Sequence, residues 1–145
     1  MNILLLNGPN LNLLGEREPS VYGTMTLAQL VRRVSAHAKK KGAKIRARQS
    51  NSEGELIDIL HTQRKWADGI AFNPGAYTHY SYAIRDAIAS IEVPTIEVHL
   101  SDVTKREPFR RVSVVGPVCV GRRFGKGLQS YLEAIDDLVA RGRRR

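Results

Sequence analysis

Apolar positions fall into two rhythms that alternate along the chain. "NILLLN" (2–7) is a continuous apolar run of strand length, the pattern of a strand covered on both faces. Leu27, Leu30, Val31 and Val34 then recur at helical spacing. Thr26 precedes them with Gln29 three residues on, a capping-box pairing, and "KKK" (39–41) followed by Gly42 marks the end. "AKIRARQ" (43–49) alternates as a strand. Ser52 and Glu55 repeat the capping box ahead of Leu56, Ile57, Ile59 and Leu60. "GIAFN" (69–73) predicts a third strand, "THYSYAIRDAIASI" (78–91) a third helix and "TIEVHL" (95–100) a fourth strand. "VSVVGPVCV" (112–120) is predicted to contain a fifth strand, and "LQSYLEAIDDLVARG" (128–142) closes as a helix.

Strand and helix thus alternate about five times, which implies a parallel sheet with helices on both faces and right-handed crossovers. The pattern does not itself give the strand order. A flavodoxin-like, doubly wound α/β sheet of five strands in the order 2-1-3-4-5 is the expected arrangement. The 145 residues make one domain spanning 1–145, with a basic tail at 141–145 expected to fray.

Composition narrows the classes further. Hydrophobic residues make up 42% and charged residues 26%, as in a globular chain rather than a disordered one. No stretch is long and apolar enough to span a bilayer, and the apolar N-terminus reads as a strand rather than a signal peptide. The lone Cys119 leaves no internal disulfide framework or Cys-rich zinc site and suits a cytoplasmic enzyme. The formal charge of +9 is spread over "RR" (32–33), "KKK" (39–41) and the tail. Such charge is a solvated face that attracts small anions. Aromatic residues interleaved with the basic clusters, which would suit nucleic acid, are missing.

Ligands of doubly wound sheets bind beyond the carboxyl ends of the strands. The unusual polar residues fall there: "NGPNLNLLG" after the first strand, "NPGAYTH" after the third, "HLSD" at the end of the fourth. Alternation puts Glu97 and His99 on one face of the fourth strand, where an unpaired charge would be costly. A carboxylate beside an imidazole is either a structural pair or a tuned acid–base group. Asn73 ends a strand, Gly75 allows a tight turn, and His79 and Asp86 share a helix face two turns apart. In "GEREPSVYG" (15–23), glycines at both ends would let the loop close as a lid carrying Arg17 and Tyr22. Tyrosine is ordinarily a poor base, its phenol titrating near 10, but a neighbouring guanidinium favours the phenolate.

Other motifs are weaker. "GRRFGKG" (121–127) is one residue short of a Walker loop and lacks its Ser or Thr. Cys119 lies in an apolar run as inert core, and His37 and His61 sit within helices with no evident partner. No spacing resembles a metal site, and no strand lysine is placed to form a Schiff base.

Together, "LNGPNLNLLGEREPSVYG", "RQSNSEGELID", "NPGAYTHYSYAIRDA", "IEVHLSD" and "REPFRR" resemble, in order, the type II 3-dehydroquinate dehydratases. The resemblance covers nearly the whole chain. It implies a lyase without cofactor or metal that eliminates water in trans from 3-dehydroquinate. The product would be 3-dehydroshikimate, formed through an enolate in the shikimate pathway or in quinate breakdown. It implies that Tyr22 is the base, Arg17 its activator, and Asn10 the holder of a water over the enolate oxygen. His99 would protonate the departing hydroxyl, oriented by Glu97. Asn73, His79, Leu100, Ser101 and Arg110 would hold the substrate. Asp86 would reach a neighbouring subunit's site in a dodecamer built from trimers. Asp102 stands where relatives often have Asn, and Lys126 where they usually have an apolar residue. "SY" replaces the frequent "GY". Two other readings are a flavodoxin-like FMN or nucleotide binder using "GPNLNLLG" as its phosphate loop, and a basic nucleic-acid-binding module.

Overall fold

The computed structural model describes residues 1–144. Strands β1 (Asn2–Asn7), β2 (Lys44–Gln49), β3 (Gly69–Asn73), β4 (Thr95–Val98) and β5 (Gly121–Arg123) form one sheet in the order 2-1-3-4-5. Every adjacent pair is parallel, so the flavodoxin-like arrangement expected from the alternation is present. The helices are α1 (Pro19–Tyr22), α2 (Leu27–Lys40), α3 (Glu53–Gln63), α4 (Tyr82–Ile91) and α5 (Leu128–Arg143).

The apolar run of β1 is divided between two cores. Ile3 and Leu5 pack with Leu30 and Val34 of α2 and with Ile135 and Leu138 of α5. Leu4 and Leu6 pack with Leu56 and Leu60 of α3 and with Ile84 and Ile88 of α4. All four β1 side chains are fully buried. Burial of this kind is worth roughly 1.5–3 kcal/mol per side chain, which makes β1 the central plank of both layers.

Local signals act largely as expected. Thr26 and Gln29 form the reciprocal capping box, at 3.2 and 2.9 Å. Ser52 caps α3 by accepting from the Glu55 amide, but the return half of that box is not made. The neighbouring Glu53 carboxylate instead accepts from Ser81, tying α3 to the start of α4.

Four boundaries differ from expectation, the first being the fourth strand, which ends at Val98 rather than at residue 100. The helix predicted over 78–91 divides into a 3-10 turn (Gly75–His79) and α4, because Ser81 caps α4 by accepting from the Ile84 amide at 3.0 Å. The fifth strand lies after the predicted 112–120 stretch. Val114 and Val115 are buried in the α3–α4 core from a loop, and Pro117 sits in a 3-10 turn without an amide to offer a ladder. The ladder passes to "GRR" (121–123), whose charges are tolerated because the strand lies on the sheet edge and its arginines are ion-paired. Finally, α5 runs on through Arg143, so the tail expected to fray from Arg141 is helical there, while Arg145 lies outside the described residues.

The rims of β1 and β3 meet backbone to backbone. The Gly8 amide donates to the Asn73 carbonyl at 2.7 Å, and a Cβ at Gly8 would lie 2.7 Å from the Pro74 carbonyl oxygen. Only glycine allows this approach, which brings the segments after the two strands together.

Candidate active site

The carboxyl ends of β1, β3 and β4 open onto a cavity of about 100 Å³ closed from above by the α1 loop. Asn10, Arg17, Tyr22, Asn73, His79, His99, Leu100, Ser101, Arg106 and Arg110 all line it. A larger cavity of about 390 Å³ lies at the opposite end of the sheet, beside Met1, Lys41 and Arg141, but gathers no histidine, tyrosine or buried carboxylate.

The floor is built around Glu97, which is fully buried. His99 Nε2 lies 2.8 Å from Glu97 Oε1. The carboxylate can only accept, so Nε2 carries the hydrogen and Nδ1 is the ring atom left for the cavity. Thr78 Oγ1 also donates to Oε1, Ser113 Oγ lies 2.9 Å from both oxygens, and Arg122 Nε donates to Oε2 at 2.6 Å. Burial alone would raise the Glu97 pKa. The hydrogen bonds from His99 and Thr78 and the charges of His99 and Arg122 outweigh it and hold the group at about 2. Glu97 is therefore a fixed anion behind His99.

On the opposite wall, the Tyr22 hydroxyl oxygen receives Arg106 Nη1 at 2.6 Å and Arg17 Nη2 at 3.2 Å. The Arg17 guanidinium also lies over the Tyr22 ring, 4.3 Å from its centroid. Two cationic donors on one oxygen stabilise negative charge there. Glu18 clasps both arginines, at 3.3 and 3.8 Å, from a left-handed backbone conformation (φ 34°). Pro19 then starts the single turn of α1 that carries Tyr22.

The remaining lining supplies polar contacts. Asn10 sits in the left-handed region (φ 70°), which Asn tolerates, and its amide donates to Asn51 Oδ1 at 3.0 Å. Asn73 Oδ1 accepts from the Gly75 amide, and Nδ2 donates to the Tyr131 hydroxyl at 2.8 Å. Tyr131 donates in turn to Asn7 Oδ1 at 2.7 Å. His79 Nδ1 lies 2.7 Å from the Val112 carbonyl, so Nδ1 donates and the neutral ring keeps Nε2 as an acceptor. Burial, reinforced by the nearby His99 and Arg110, lowers the His79 pKa despite that bond.

Residues 1–139 match the family described as Dehydroquinase class II. The chain belongs to the class II dehydroquinases. It is 54% identical over 135 residues to a protein named 3-dehydroquinate dehydratase from Pelotomaculum thermopropionicum, covering 93% of this chain and 94% of the relative. The crystal structure of a type II dehydroquinase from Butyrivibrio crossotus is similar at TM-score 0.93 and 50% identity, covering 95% of this chain and 97% of that one. The type II dehydroquinase structure from Propionibacterium acnes gives TM-score 0.92 at 39% identity, covering 96% of each chain.

Within this dehydroquinase fold, the residues singled out from the sequence gather in one place with a single exception. Asp86 is exposed on α4 and does not line its own chain's cavity. Four groups were missed. Arg106 makes the shorter bond to Tyr22 and was visible only as part of "REPFRR". Thr78, Ser113 and Arg122 surround Glu97 from distant parts of the chain, and no local pattern connects them. Among the described residues, no three His, Cys, Asp or Glu side chains form a group that could hold a metal ion.

Proposed function

We propose that Tyr22 and His99 carry the elimination of water from 3-dehydroquinate, the chemistry of the family to which the chain belongs. The observation that carries this reading is the pairing across one small cavity. A phenol oxygen held by two guanidiniums faces a histidine backed by a buried, ionised carboxylate. Tyr22 as phenolate takes the proton from the carbon beside the ketone. Charge moves to the carbonyl oxygen as an enolate, over which Asn10 helps hold a water. Collapse of the enolate expels the hydroxyl, which takes a proton from His99 and leaves as water. Glu97 steadies the imidazolium before transfer. Tyr22 has gained one proton and His99 has lost one, so the pair is reset by exchange with solvent. Arg110, His79, Asn73 and the Leu100–Ser101 segment hold the substrate's carboxylate and hydroxyls.

The product, 3-dehydroshikimate, contains a conjugated enone. Adding 3-dehydroquinate to the purified protein should therefore produce rising ultraviolet absorbance, and the rate should survive exhaustive chelation. A chain that leaves the substrate unchanged would refute the reading.

The same reading gives a homo-oligomer, a dodecamer built from trimers, acting in the cytoplasm in the shikimate pathway or in quinate breakdown. Two features support association. Asp86 is unused by its own site, and Tyr80, Tyr82, Phe109, Val112 and Val120 are large apolar side chains left exposed. Among the described residues, no helix is long and apolar enough to cross a membrane. Light scattering should give a mass several times that of one chain, and Asp86→Ala should weaken substrate binding. A fully active monomer would contradict this.

A further inference from the structure

The structure assigns Arg122 a positioning role in the reaction: its guanidinium, bound to the Glu97 oxygen away from His99, sets how readily His99 releases its proton. This rests on the reading of His99 as the acid.

The geometry is a relay across one carboxylate. Oε1 of Glu97 accepts from His99 at 2.8 Å, and Oε2 accepts from Arg122 Nε at 2.6 Å. Thr78 and Ser113, the other donors, carry no charge. Among the described residues, Arg122 is the only Lys or Arg side chain that pairs with Glu97. β5 also holds the second member of the pair, since the His99 amide donates to the Arg123 carbonyl at 2.9 Å. One short edge strand thus fixes His99 through its backbone and Glu97 through a side chain.

Arg122 is an expensive way to supply one hydrogen bond. Its Nη2 is buried and has no partner among the described residues, and leaving a buried donor unpaired is costly. A neutral donor could satisfy Oε2 without that cost. What a neutral donor cannot supply is charge. With Arg122 in place, the Glu97 anion is shared between two cations and holds the His99 proton less tightly. Without it, the full anion acts on His99 alone.

The other ionisable groups near the pair are few. Cys119, beside β5, is pushed up to about 12, first by burial and then by Glu97, so its thiol stays neutral. His79 approaches from the turn before α4, with Arg110 beyond it, and burial favours its neutral form. Arg17 and Arg106 act on Tyr22 from the lid side. None of these replaces Arg122 at Oε2.

The test is the pH dependence of turnover in Arg122→Gln and Arg122→Lys, with His99→Asn as control. Glutamine keeps a donor and removes the charge. The limb reporting loss of the acid should move to higher pH by about one unit, since the imidazolium is then favoured. A weaker acid should lower plateau turnover roughly three- to tenfold. Lysine restores the charge and should return the limb close to the parent's position. The limb position does not depend on how much of a variant is folded, so a poorly folding sample still gives an answer. Lower turnover in Arg122→Gln with an unmoved limb would make Arg122 merely structural and overturn the proposal. So would a limb displaced as far in Arg122→Lys as in Arg122→Gln. The control separates the two readings. If His99→Asn loses most turnover and the limb itself, the acid is identified whatever Arg122 does. If His99→Asn keeps the parental rate, the reading of His99 falls, and the role of Arg122 with it.

Discussion

Tyr22→Phe should lower turnover by roughly 10²-fold or more, the range of a general base. The ring remains to fill the lid, so the loss isolates the oxygen. Arg17 and Arg106 would then converge on a carbon edge with nothing to stabilise. Substrate binding should change much less than turnover, because the lost interaction belongs to the transition state. The two arginines can be separated in the same way. Arg106 makes the shorter contact, 2.6 Å against 3.2 Å, so Arg106→Ala should cost more than Arg17→Ala. Each should move the acidic limb of the rate profile to higher pH, since the phenolate then forms only with less help. Arg17→Lys should recover part of the effect, as an ammonium cannot hold the guanidinium's fixed fork. Steady-state rates and a separate binding measurement decide the matter. Near-parental turnover in Tyr22→Phe would remove the base from this account.

The second large effect is expected at the opposite wall. His99→Asn should cut turnover by about 10²-fold, because asparagine can donate a hydrogen bond but cannot give up a proton to the departing hydroxyl. The basic limb should vanish with it. Glu97→Gln should cost less at the optimum but should move the basic limb to lower pH, since a neutral amide steadies an imidazolium poorly. The parent should show no separate ionisation of Glu97 above the strongly acidic range. Its pKa is held at about 2, so the anion persists at every higher pH and is lost only as pH falls through that value. Product formation followed across pH by absorbance tests all three statements. A His99→Asn variant with an unchanged basic limb would show that the limb belongs to another group.

The sequence revealed most where physics is local. β1 declared itself by an unbroken apolar run because each successive side chain enters a different core. The Thr26 cap was readable because its partner is three residues away. Glu97 and His99 were readable as a pair because strand alternation places both on one side. The errors have the opposite cause. Ser81 falls within the helical periodicity of 78–91, yet it is the cap that starts α4. The 112–120 stretch looked like a strand because Val114 and Val115 are buried, but their burial is under α3 and α4 rather than in a ladder. β5 looked like a loop because two of its three residues are arginines, and the carboxylates that neutralise them, Glu97 and Asp137, lie 25 and 14 residues away. Thr78, Ser113 and Arg122 carry no local signal for the same reason. A polar side chain's partner is set by topology, which no single stretch contains.

The hydroxyl of Tyr131 connects Asn73 to Asn7, residues from the ends of two neighbouring strands. Tyr131 is separated from Asn7 by 124 positions and belongs to the final helix. During synthesis, the strands bearing both asparagines emerge long before the group that joins them. Until α5 docks, neither amide has this partner, and each loses its cheapest alternative, water, only when the helix closes over it. Maturation of the rim therefore waits for the last helix, Leu128–Arg143, at the C-terminal end of the polypeptide. A nascent or truncated chain could assemble much of its sheet and still lack an organised place to work.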